Sequence, residues 1–241
     1  MTTESTTGLH PEPQGTDLAA KLNWLRAGVL GANDGIVSVA AVVVGVAGVT
    51  TNNGPILAAG MAALVGGAIS MALGEYVSVS SQRDSQRHLI AKERQELQEQ
   101  PAEEFAELVG LYQRKGLSRS LATQVAEELT AKDALRAHLD IELGIDPDEI
   151  VSPWHAAIAS AISFLCGAVL PMVAILLLPE AIRVPITFAV VLLALAVTGA
   201  VGAWIGGGSR TRASVRVILG GALALATTFA LGSLLGTTGI A

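Results

Sequence analysis

Long apolar runs alternate with one extended polar block along this chain. Five runs are long enough to cross a bilayer: Leu25–Val49, Pro55–Val79, Trp154–Leu178, Pro185–Gly206 and Ala213–Leu235. A spanning helix needs about 20 mostly apolar residues. Between the second and third runs, Ser80–Ser152 offers no such segment. The connectors TTNNGP and LPEAIRVP are short and turn-like. Within the polar block, RDSQRHLIAKERQELQEQ is rich in helix formers and lacks Gly and Pro, so it is expected to continue the second span without a break. Pro101 suits the first turn of a new helix, and Gly116 suits its end. Helix resumes near Ser118, with a joint near Thr130, and Gly144 closes it. The pattern predicts an all-α integral membrane protein of five transmembrane helices, with a helical domain between helices 2 and 3. The expected divisions are a disordered tail at 1–22, helices 1 and 2 at 23–80, an acidic domain at 81–152, and helices 3 to 5 at 153–241.

Composition supports this class. Hydrophobic residues make up 51% and charged residues 15%, and mean hydropathy is +0.54. Soluble domains carry about 25% charged residues. The first residues are polar, with no basic stretch leading into an apolar core, so they do not read as a signal peptide. Cys166 is the only cysteine, which rules out an intrachain disulfide.

Charge gives orientation and a partner class. Of the 15 Lys and Arg residues, only Arg183 falls on the side opposite the polar block. The positive-inside rule then places the N-terminus and the block in the cytoplasm, and the C-terminus outside. The block holds 15 of the 21 acids against nine basic residues, so it carries the whole net charge of −6. Such a field repels nucleic acid and attracts cations. Membrane lipid surrounds the spans, and the expected host is a bacterial plasma membrane.

Candidate ligands follow from helical spacing. Glu93 and Glu96 share a face, as do Glu104 and Glu107, and His138 lies one turn before Glu142. Carboxylate oxygens with an imidazole suit divalent first-row ions. Acids beside Lys92, Arg94 and Arg114 also fit a solvated face of surface ion pairs. The Glu-x-x-His motif of di-iron carboxylate bundles is absent. Within the spans the ionisable residues are Asp34, flanked by Asn33 and Gly35, and Glu75, one turn after Met71. An acid in the apolar region is costly unless it has a partner, lines a cavity or is protonated. Carboxylates that bind metal when ionised and release it when protonated supply the minimal chemistry of a metal–proton exchanger. Rows of small residues at Gly66, Ser70 and Gly74, and at Gly199, Ala203 and Gly207, allow close helix approach and point to a dimer.

The stretches LRAGVLGANDGIVSVAAVVVGVAG, AISMALGEYVSVSSQRD, KERQEL and AEEFAELV, with the small-residue last span, resemble the vacuolar iron transporter family over about Leu22 to Gly236. The resemblance implies a five-span homodimer with its pore between subunits. It implies export of Fe2+ or Mn2+ from the cytosol in exchange for protons, the metal being cargo and no resident cofactor being required. It also implies metal ligation by Glu93, Glu96, Glu104 and Glu107, and a translocation path including Asp34 and Met71, with Glu75 matching a characteristic glutamate; Asn33, beside Asp34, is expected on the same path. At the end of the acidic domain the family can present a Met and a Glu one turn apart; here His138 and Glu142 stand in that place.

The competing reading is a membrane-anchored metal sensor or scaffold, for which a mid-span Asp34 has no use. The shortage of aromatic residues disfavours an organic-cation carrier. No nucleophile–base pair, phosphate loop or cofactor fingerprint marks an enzyme.

Overall fold

The computed structural model describes residues 15–147 and 151–238, with side chains from residue 28 onward. Among the described residues there are seven α-helices and one π-helical turn, and no strand. They are α1 (Gly15–Val49), α2 (Asn53–Glu99), α3 (Pro101–Arg114), α4 (Arg119–His138), the π turn Leu139–Leu143, α5 (Pro153–Leu177), α6 (Glu180–Ile205) and α7 (Arg210–Thr238). Five of these (α1, α2, α5, α6 and α7) are long and apolar enough to span a bilayer. A helix satisfies its backbone polar groups internally, which hydrocarbon demands.

Contacts divide the chain into two units: residues up to 74 together with 157 onward, and residues 75–156. The first unit contains most of the spanning length. Its core joins Val39 and Val43 of α1, Phe164 and Ile175 of α5, Leu195 of α6 and Leu225 of α7. Helices approach closely where glycine permits it. A methyl group at Gly35 would overlap the Phe164 carbonyl, and one at Gly167 would overlap the Ala32 carbonyl. Arg183, near the start of α6, is 2% exposed. It donates to Asn53 Oδ1 at 2.6 Å and to the Thr51 carbonyl at 2.7 Å, pinning the α1–α2 connector.

The second unit contains the end of α2, then α3, α4 and the π turn. Leu108, Val109, Ala122 and Ala126 form its small core. Pro101 opens α3 as expected, and Gly116 follows it with φ 101°. Gly144 caps the π turn with φ 61°. The joint in α4 falls at Asp133 (φ −165°, ψ 96°), three residues beyond Thr130. The reason is a cap: Asp133 Oδ1 accepts from the Arg136 N–H at 2.9 Å, starting the helical stretch anew. Helix α5 runs through Pro171 as a single element.

Helix α1 begins at Gly15, inside the stretch read as a tail. Residues 1–14 lie outside the described residues, as do the side chains of Lys21 and Arg26.

Candidate metal centre

Three helices and the π turn of the second unit converge on one imidazole. His138 is 1% exposed. Its Nδ1 lies 2.9 Å from Glu93 Oε1 of α2, 3.7 Å from Glu104 Oε2 of α3 and 3.7 Å from Glu142 Oε2 of the π turn. Glu93 and Glu104 are buried too. Glu142 is partly open, with 29% of its side chain exposed.

Local structure produces this convergence. Restarting helix at Asp133 turns the last residues of α4, so that the His138 ring is buried against α2 and α3. The π turn then places Glu142 close to the same nitrogen.

The polar atoms are poorly satisfied among themselves. Glu93 Oε1 and His138 Nδ1 lie close, yet neither makes a well-directed hydrogen bond, and both are fully buried. Such groups normally find partners. Donor atoms from Glu93, Glu104 and His138 all fall within 4.8 Å of one another. At metal–ligand lengths of about 2.1 Å, two ligands on one ion sit at most about 4.2 Å apart. Small side-chain adjustments would therefore allow this set to close on one divalent ion.

Electrostatics point the same way. Burial lifts the Glu93 carboxyl to about 7, and Glu142, Glu104 and Glu96 add to the rise. Burial raises Glu104 as well; the nearby His138 opposes this, while Glu107, Glu96 and Glu142 reinforce it. Crowded carboxylates hold protons until a cation replaces them.

The other acids expected to bind metal are placed differently. Glu96 pairs with Lys92 at 2.8 Å. Glu107 is exposed. Neither belongs to the buried set, though both contribute to its field. Spacing alone suggested equal partners within each pair, but burial separates Glu93 from Glu96 and Glu104 from Glu107.

In the first unit, Asp34 Oδ1 accepts from Ser38 Oγ at 2.6 Å, one turn along α1. The i, i+4 spacing of Asp34 and Ser38 is the signal in the sequence that fits this bond. Asn33 turns to a different neighbour: its Oδ1 accepts from Thr198 Oγ1 of α6. Nothing in the spacing of either residue marked that bond, which links positions 165 apart. Met71 packs against the core of this unit. Glu75, the first residue of the second unit, is half-buried.

The sequence profile of the VIT family matches residues 25–233. This chain belongs to the VIT family. Similar proteins include a vacuolar iron transporter of Acanthamoeba castellanii, 43% identical over 97% of this chain and 88% of that protein. Vacuolar iron transporter homolog 1 of Oryza sativa subsp. japonica is 37% identical over 94% of this chain and 80% of its own length. Vacuolar iron transporter homolog 2.1 of Arabidopsis thaliana is 33% identical over 94% and 88%. These VIT-family relatives are named as transporters, and this member is an integral membrane protein, not an enzyme.

Proposed function

We propose that this VIT-family chain carries Fe2+ or Mn2+ out of the cytosol in exchange for protons, working as a homodimer in a bacterial plasma membrane. The observation that carries this reading is the buried His138 nitrogen facing three carboxylates in a chain with five spanning helices. The acidic domain faces the cytoplasm and collects the ion. Its net negative charge raises the local cation concentration. Glu93, Glu104, His138 and Glu142 hold the ion, and Glu96 and Glu107 strengthen the field without ligating it. One nitrogen with several carboxylate oxygens suits first-row divalent ions better than Mg2+ or Ca2+.

Asp34, Met71 and Glu75 line the route through the membrane. Asp34 exchanges its Ser38 hydrogen bond for metal or for a proton, and so couples the two flows. Asn33, held by Thr198, steadies the same turn of α1.

The test of the collecting role compares two glutamates one turn apart. Glu104→Ala weakens metal uptake at low concentration and leaves the rate at saturation close to wild type, because it removes capture and not passage. Glu107→Ala has a much smaller effect. Uptake curves for Glu104→Ala that match wild type at every concentration would show that the acidic helices are only a solvated face.

A further inference from the structure

From residue 181 to the end, the chain contains four arginines and no acid. Three of them, Arg210, Arg212 and Arg216, fall within seven residues at the start of α7. No carboxylate lies within 4.0 Å of any of the three among the described residues; ion pairs there are confined to the second unit. Arg210 lies 5.8 Å over the ring of Trp204, which is 64% exposed. An exposed Trp beside a basic cluster is the usual arrangement at the membrane–water interface.

Arg212 and Arg216 stand between two hollows. One, of about 480 Å³, is lined by Asn33 of α1, by Gly202 and Gly206 of α6, and by Ser209. Small residues make up much of its wall, and Asn33, Ser209, Arg212 and Arg216 bring polar groups to it. The other, of about 550 Å³, lies along α7 and is almost wholly apolar, with Val215 and Leu219 on its wall. Both include Arg212 and Arg216. Two guanidinium groups make this a poor place for a divalent cation and a favourable one for an anion. Arginine presents a planar fork of donors that matches phosphate oxygens, which lysine does not.

We infer that Arg212 and Arg216 bind the phosphate of an anionic phospholipid, with its acyl chain lying along Val215 and Leu219 and its headgroup entering the hollow beside Asn33 and Ser209. A hollow with Asn33 and Ser209 on its wall, joined to an apolar groove through two arginines that have no ion pair among the described residues, fits a lipid better than a free phosphate, which has no use for the groove. Basic pockets between spanning helices are a recognised way to hold such headgroups. This inference stands apart from the identity of the transported ion. It would make the protein's stability depend on bilayer charge through α1, α6 and α7, the elements that meet at the hollow.

The experiment uses the full-length protein in neutral detergent. Lipid binding is measured by native mass spectrometry during titration with phosphatidylglycerol or phosphatidylcholine of the same chain length. Each arginine near an anionic surface contributes about 1 kcal/mol, so the pair predicts about thirtyfold preference for phosphatidylglycerol. Arg212→Gln with Arg216→Gln should bring that preference close to unity. Both side chains are exposed and make no ion pair, so the variant should keep the wild-type elution volume. Arg212→Lys with Arg216→Lys keeps the charge and should keep part of the preference, which provides a reading even if the glutamine variant elutes abnormally. Equal binding of the two lipids by wild type would overturn the inference. So would an undiminished preference in a normally eluting glutamine variant. Competition by soluble glycerol phosphate as strong as that by the lipid would show a small-anion site and overturn the lipid assignment.

Discussion

Removing the charge of Glu93 should change how metal binding depends on pH. Its carboxyl is lifted from an ordinary 4.5 to about 7, first by burial and then by Glu142, Glu104 and Glu96. A metal ion needs the carboxylate, so binding below this value expels a proton. Roughly a tenth of Glu93 is ionised at pH 6 and roughly nine-tenths at pH 8. Through this residue alone, apparent Mn2+ affinity rises about tenfold between those two values. In the metal-free protein the same shift acts on stability. Between pH 4.5 and about 7, the folded chain keeps a proton that the unfolded chain gives up. Raising pH through this window therefore destabilises the metal-free fold, by at most about 3 kcal/mol in total. The assay is isothermal titration calorimetry of the full-length protein with Mn2+ at pH 6 and pH 8, in two buffers of different ionisation enthalpy. At pH 6, wild type should release about 0.9 proton more than Glu93→Gln, and at pH 8 the two should nearly agree. Equal proton release by both proteins at pH 6 would show that Glu93 holds no proton there.

Arg183→Ala removes two hydrogen bonds from a buried cation to the α1–α2 connector. Bonds to charged groups contribute about 1.5–3 kcal/mol each, so the melting temperature in detergent should fall by several degrees; an unchanged value would show that Arg183 holds nothing. Gly35→Ala forces a methyl group against the Phe164 carbonyl and should sharply reduce the yield of folded protein. At Gly66 an added Cβ would meet no atom of another element within 4 Å among the described residues. Gly66→Leu should therefore fold normally but elute as a monomer on size-exclusion chromatography, and a dimer peak for that variant would remove the small-residue row from the subunit interface.

The helices were easier to read in the sequence than the metal centre. Hydropathy located all five spans because length and apolarity are properties of continuous sequence. Pro101, Gly116 and Gly144 marked helix ends because each has a local backbone reason to be there. The joint in α4 lies three residues beyond Thr130 because Asp133 captures the Arg136 N–H, a local bond that helix propensity does not locate. In the acidic domain, spacing identified which acids share a face. It did not separate Glu93 from Glu96, or Glu104 from Glu107, because that depends on which side of each helix packs against His138. The bond between Thr198 and Asn33 and the burial of Arg183 join residues far apart in sequence, where local pattern carries no information.

Exchange of a divalent metal for protons turns on Asp34. It can be followed in proteoliposomes that contain a pH dye and a metal indicator, comparing wild type with Asp34→Asn in the presence of Fe2+ or Mn2+. Wild type should show metal flux accompanied by proton movement in the opposite direction, with both lost in the variant while it remains folded and keeps binding metal at Glu93, Glu104 and His138. Coupled flux at the wild-type rate in Asp34→Asn would contradict it, as would metal flux with no accompanying proton movement in wild type.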